Sequence, residues 1–246
     1  MFSKYNRYGK ELNTHDLLKF AAITLMLIDH IGLYFFPEAD WPRVFGRMCV
    51  PMWFFLIGYS NNYHISRELV FAGILVSAST LLVDSVPLPI DILLSIAIWR
   101  GFFSYRKKKN LPPESLIFVA IGALIWLLPL ELFISYGTQG LLFAVCGREV
   151  RRGTQAQNKW FFVLTAAVFV IFESFMFKFS MLEGAVLAAG IAFVMWVLYN
   201  FELKKLGISP IYNIARFMGR YSLYIYVIHL LVIRIFIYAL VHNPSI

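Results

Sequence analysis

Leu17 to Phe36 reads LLKFAAITLMLIDHIGLYFF, and this stretch decides the fold. At about 1.5 Å per residue its twenty residues reach roughly 30 Å, the depth of a bilayer's hydrocarbon core. Yet it carries an adjacent Asp29 and His30 in its middle. An ionisable side chain at that depth costs at least ~2.5 kcal/mol, so such residues face a bundle interior, find partners and mark functional paths. Helical neighbours point roughly 100° apart, so both residues avoid lipid only if other helices surround this one. The stretch is therefore a central helix, and its polar pair is either a functional group or a lock between helices.

Composition supplies the context. Hydrophobic residues make up 60% of the 246-residue chain and charged ones 15%, with a mean hydropathy of +0.70. A soluble domain of this size needs a larger polar surface, so residues 1–246 read as one all-α, polytopic integral membrane helix bundle. The first fifteen residues are polar and basic. The apolar segment after them is too long for a signal-peptide core and has no small-residue cleavage site, so it reads as a retained anchor. Cys49 and Cys146 fall in apolar segments at different depths, which argues against a disulfide and for small buried hydrophobes.

Nine apolar segments follow one another, at roughly 16–36, 43–62, 67–84, 87–104, 112–130, 131–147, 159–177, 180–201 and 220–241. Each is near the ~20 residues of a spanning helix. With the N-terminus cytoplasmic, that side receives Lys4, Arg7, Lys10, Arg67, the run Arg106 to Lys109, Arg148, Arg151, Arg152, Lys159, Lys204, Lys205, Arg216 and Arg220. The outer loops keep only Arg43 and Lys178. This bias fits nine spans in a bacterial inner membrane. It also accounts for the net charge of +8 through contact with an anionic leaflet, without nucleic acid.

Depth arithmetic brings distant residues together. His30 lies eleven residues past Lys19 and His229 nine past Arg220, so both sit ~13 to 17 Å from the cytoplasmic edge. Ser222, Tyr226 and His229 form one polar stripe of the last helix. In the second segment Arg47, Pro51, Phe54 and Gly58 share a face, and Pro51 should kink or open the helix at Arg47. An inward Arg47 would satisfy Asp29 as a structural ion pair, or bind an anionic or carbonyl group of a substrate. The run SYGTQG, Ser135 to Gly140, puts Gln139 about 12 Å deep beside Tyr136, with Gly137 and Gly140 allowing close approach of a backbone or ligand. Asp91, Glu131 and Glu183 lie near segment ends, Arg100 and Arg234 can snorkel, and Glu173 is a deeper reserve candidate.

The four pieces LLKFAAITLMLIDH, FGRMCVPMWFFLIG, SYGTQGLL and GRYSLYIYVIHLL, in that order, resemble the TraX family of pilin-acetylation proteins. More distantly the chain is similar to the integral-membrane acyltransferase-3 superfamily. The resemblance implies transfer of acetyl from cytoplasmic acetyl-CoA to an amine or hydroxyl. It further implies a first-helix His, matched by His30; an F-x-x-x-G element, matched by Phe54 and Gly58; and a second His after an S-L-Y motif, matched by His229 after Ser222, Leu223 and Tyr224. Asp29 before the first His favours the TraX branch.

Acyl transfer from a thioester needs a base, a group to orient it and a donor for the developing oxyanion. His30 is the candidate base and Asp29 its orienter or counter-charge. His229, Tyr226 and Gln139 are candidates to hold the acceptor or the thioester oxygen. Arg47, Phe54, Gly58, Tyr136 and Ser222 complete the candidate substrate-binding set. Arg67, Arg148, Arg216 and Arg220 are placed to attract the phosphates of acetyl-CoA, and no metal is expected. Direct and acyl-enzyme routes stay open. The resemblance points to the N-terminal amine of a pilin-like peptide as acceptor, with a glycan or lipid-linked sugar hydroxyl as the alternative. Outside the enzyme class, midplane Asp, His and Arg could serve a proton-coupled transporter, but the internal repeat that such a fold predicts is not found.

Overall fold

The computed structural model of the chain describes residues 12–83, 89–207 and 210–242. α1 (Thr14–Phe35) is the long helix expected from Leu17–Phe36, opened by Asn13, whose side chain accepts a hydrogen bond from the Asp16 amide. The second apolar segment is not one helix. α2 (Trp41–Gly46) stops before Arg47, and α3 (Cys49–Ser60) starts after Met48. Pro51 has no N–H for the Arg47 carbonyl, which accepts instead from the Val50 amide at 3.2 Å, so the break falls where the proline requires it.

α4 (Arg67–Ser79) begins at a Ser66 cap and runs into one 3₁₀ turn, and α5 (Ile92–Lys108) begins at an Asp91 cap. The segment expected at 112–130 is three short pieces: α6 (Ser115–Gly122), a 3₁₀ turn and α7 (Leu127–Glu131). α8 (Gly137–Arg152), α9 (Lys159–Met176) and α10 (Met181–Tyr199) follow, the last opened by a capping box between Ser180 and Glu183. α11 (Pro210–Arg220) and α12 (Ser222–His242) meet at Tyr221.

Helix length alone does not mark out nine uniform spans. Among the described residues four helices are long and apolar enough to cross a membrane, namely α1, α9, α10 and α12. The others are shorter because they are packed inside or interrupted, so apolar content alone overstates their length. α11 was not foreseen within the stretch assigned to a loop; it lies against the start of α1, where Arg220 Nε stands 3.5 Å from Asp16 Oδ2. Two short strands, β1 (Leu12–Asn13) and β2 (Lys205–Gly207), pair antiparallel and tie the beginning of α1 to the segment before α11.

The distribution of polarity is inverted relative to a soluble protein. Ile125 is 82% exposed and Phe118 74%, whereas Asp29, Arg47, Gln139, Glu149, Glu173 and Arg234 are buried. Lipid is the solvent that makes this favourable, because apolar surface costs nothing there and polar groups must be satisfied internally.

The innermost helices are α3 and α8. Gly58 faces the Ala144 carbonyl and Gly147 the Phe55 carbonyl so closely that a methyl group at either would overlap backbone, and Phe54 lies against Gly140. Phe54 and Gly58 are therefore part of a helix–helix seam, closed over by α8 rather than turned to open space. Cys49 and Cys146 are free and buried, as small hydrophobes.

Gly58→Ala is expected to lower stability by about 1 to 3 kcal/mol, since α3 and α8 must separate to admit it. Thermal unfolding in detergent checks this, with Gly101→Ala as the control: its nearest neighbour is Ile65 Cδ1 at 3.5 Å, so its midpoint should not fall.

Candidate functional site

Two polar networks lie on different faces of α1. The first is an ion cluster around the break between α2 and α3. Arg47 leaves the helix there, and its Nε stands 3.8 Å from Asp29 Oδ1 and 3.4 Å from Glu173 Oε2. Arg43 Nε is 3.7 Å from the same Asp29 oxygen. Phe177, just past α9, covers both guanidinium groups, with their carbons 4.7 Å (Arg43) and 4.2 Å (Arg47) from its ring centroid.

Tyr136 closes the cluster from α8. Its hydroxyl accepts a hydrogen bond from Arg47, its amide donates to Glu131 Oε2 at 2.9 Å, and its φ of 57° is unusual for a bulky residue. Gln139 donates from Nε2 to Glu173 Oε1 at 3.2 Å. The cluster holds three carboxylates, Asp29, Glu131 and Glu173, against two arginines. Among the described residues Asp29 Oδ1, Glu131 Oε1, Gln139 Oε1, Glu173 Oε2 and Arg47 Nε are buried without a hydrogen bond, and Arg47 Nε meets Asp29 and Glu173 by charge alone.

The second network joins α1 to α12. His30 Nδ1 and His229 Nε2 are 2.8 Å apart, and His229 Nδ1 lies 2.8 Å from the Ile225 carbonyl. A carbonyl only accepts, so His229 donates from Nδ1, and in the neutral ring its Nε2 is an acceptor. His30 then donates from Nδ1 and keeps a bare lone pair on Nε2. Tyr226 sets its ring edge-on to His30 and at 76° to His229, and its hydroxyl donates to Asp91 Oδ2 at 2.5 Å.

In the sequence Asp91 reads as a segment end where a polar residue is tolerated. It is instead the cap of α5 and the acceptor that fixes Tyr226. Arg234, expected to snorkel, is buried and donates to the Tyr34 hydroxyl at 3.0 Å, the Val76 carbonyl at 2.5 Å and the Ser79 hydroxyl at 2.7 Å. The signal for it was in the sequence: Ser222, Tyr226, Leu230 and Arg234 recur every four residues, and all four are buried. Glu131 and Arg43 were likewise assigned to segment ends and an outer loop. Asp29 and His30 do not share a partner, because the carboxylate is taken by the arginines while the imidazole faces α12.

Of the four basic residues placed to attract phosphates, Arg148 lines a cleft. Its Nη1 donates to Asn61 Oδ1 at 2.8 Å and to the Tyr63 hydroxyl at 3.2 Å, beside Arg106, Lys107 and Phe103, around a space of about 280 Å³. Arg67 is exposed at the start of α4, while Arg216 and Arg220 belong to α11. Among the described residues no cluster of His, Cys, Asp and Glu is arranged to hold a metal ion.

The family model described as "TraX protein" matches residues 14–237. An uncharacterized protein of Rickettsia prowazekii (strain Madrid E) is 29% identical over 137 residues, covering 55% of each chain. The chain therefore spans about half the length of the curated relative it matches. No solved structure matches.

Arg47→Ala leaves Asp29 and Glu173 buried without their common partner and should cost about 3 to 5 kcal/mol. Arg43→Ala, at the edge of the cluster, should cost less. Chemical unfolding of both variants in detergent gives the comparison.

Proposed function

The chain belongs to the TraX family, and on that premise we propose that it is a multi-pass acyltransferase of a bacterial inner membrane, with its N-terminus cytoplasmic, which moves acetyl from acetyl-CoA to an amine. The best candidate acceptor is the N-terminal amine of a pilin-like peptide. The observation that carries this reading is the imidazole pair, in which donation from His229 Nδ1 to the Ile225 carbonyl leaves Nε2 of His30 as the ring nitrogen available to act as a base.

In this mechanism His30 Nε2 takes the proton of the attacking amine as nitrogen bonds to the thioester carbon. Its Nδ1 proton moves to His229 Nε2, whose charge is then steadied by the Ile225 carbonyl. The carbon–sulfur bond breaks, and the proton returns through His30 to the leaving thiolate. His229 thus replaces Asp29 as the group that orients the base. Asp29 holds Arg43 and Arg47 and acts on His30 through its field. Tyr226, locked on Asp91, walls the pair and fixes the ring planes.

The choice of an amine over a hydroxyl acceptor rests on the chain's membership of the TraX family and its resemblance to pilin-acetylation proteins. Arg47, Tyr136 and Gln139 then frame the acceptor. Phe54, Gly58 and Ser222 hold the helices that carry these groups. Arg67, Arg216 and Arg220 add to the field that draws an anionic donor to the cytoplasmic face.

Labelled acetyl-CoA supplied to inverted membrane vesicles tests the reading. Wild type should label a peptide, His30→Ala should lose at least a hundredfold in rate, and His229→Ala a comparable amount, the usual weight of a general base. Undiminished transfer by folded His30→Ala would overturn the assignment of the base. Label on a sugar hydroxyl would overturn the amine acceptor, and label retained on enzyme without acceptor would replace direct transfer by an acyl-enzyme route.

A further inference from the structure

The cleft at the cytoplasmic ends of α3, α5 and α8 is lined by three cations, Arg106, Lys107 and Arg148, together with Tyr63, Phe103 and Asn110. None of the three has a carboxylate within ion-pair distance among the described residues. Arg148 is held by neutral acceptors, Asn61 and Tyr63, which point its guanidinium without discharging it. Arg106 donates to the Pro112 carbonyl at 2.9 Å and to the Ser115 hydroxyl at 2.7 Å, again neutral partners. The carboxylates nearest in sequence are engaged elsewhere: Arg152 takes Glu114 at 2.9 Å and Glu149 at 3.4 Å, and Thr154 and Asn158 close over Glu149.

Three positive charges converging on one concave space, two of them fixed in place, are mutually repulsive unless an anion joins them. A preorganised guanidinium beside a second guanidinium and an ammonium matches the charge and the acceptor-rich geometry of phosphate groups. We propose that this cleft binds a phosphate-rich group, and that its occupant is the nucleotide end of the acyl donor, the phosphorylated adenosine of CoA, rather than a lipid headgroup. This rests on the acyltransferase reading for the identity of the donor. Concavity favours the nucleotide: a headgroup needs only a flat basic face, whereas this site is a pocket with an aromatic floor of Tyr63 and Phe103, whose ring centroids are 5.3 Å apart. The position also suits the chemistry, since Arg148 lies in the second half of α8, whose first turn frames the ion cluster, and the thioester would extend inward from there.

The test uses the full-length protein in nanodiscs, titrated by calorimetry with adenosine 3′,5′-bisphosphate, CoA and adenosine. Membranes of phosphatidylcholine alone are compared with membranes containing phosphatidylglycerol. Wild type should bind the bisphosphate and CoA at least tenfold more tightly than adenosine in both. Lys107→Gln and Arg148→Gln should each weaken that binding five- to tenfold, while Lys159→Gln, another basic residue assigned to the same face, should not change it. In transfer assays the two cleft variants should raise the apparent KM for acetyl-CoA with kcat preserved. Lys107 is exposed, so its variant reports on binding even if Arg148→Gln proves unstable. Bisphosphate binding unchanged in both variants would overturn the cleft as its site. Loss of nucleotide binding in phosphatidylglycerol alone, with lipid retention that depends on the same two residues, would overturn the nucleotide in favour of a headgroup. Failure of the acyltransferase reading has a different signature, namely tight bisphosphate binding without transfer of acetyl to any acceptor.

Discussion

Arg47 is the constraint on which the interior depends. A guanidinium cannot be left bare among apolar helices, and here it is met by Asp29 from α1, Glu173 from α9 and Tyr136 from the start of α8. Three helices are therefore fixed relative to the α2–α3 break by one side chain. The break is itself what frees Arg47 to reach inward, and Pro51 causes the break. A single proline thus sets backbone geometry, and backbone geometry sets the electrostatics. The left-handed Tyr136 belongs to the same logic, since its backbone and its hydroxyl are each held by a member of the cluster.

α1 works as a divider. Residues one apart on it serve different networks: Asp29 turns to the arginines, His30 to the last helix. This keeps the ion cluster and the imidazole pair apart while holding both within one helical turn.

Much of this was legible in the residues. The length and apolarity of Leu17–Phe36 point to the central helix, equal depth puts His30 and His229 at one level though not in contact, and the missing N–H of Pro51 points to the break. What escaped were features that depend on partners rather than on position along a segment. Arg234 reads as a snorkelling residue until the four-residue recurrence from Ser222 is carried through to it. Asp91 reads as a helix end because it is one, and only packing reveals that Tyr226 reaches it. The helices are less uniform than the apolar segments for a similar reason: apolar content reports that a residue avoids water, and a short helix shielded by neighbours avoids water as well as a long one facing lipid. The amphipathic α11 was hidden between charged residues that were counted as loop.

The two imidazoles are separated by 199 residues. At a synthesis rate of about 5 to 20 residues per second, His229 follows His30 by roughly 10 to 40 s. During that interval Asp29 can already meet Arg43 and Arg47, whereas His30 waits for its partner. The imidazole pair is therefore complete only once α12 has been made, and a chain interrupted before α12 keeps its ion cluster but cannot form the pair.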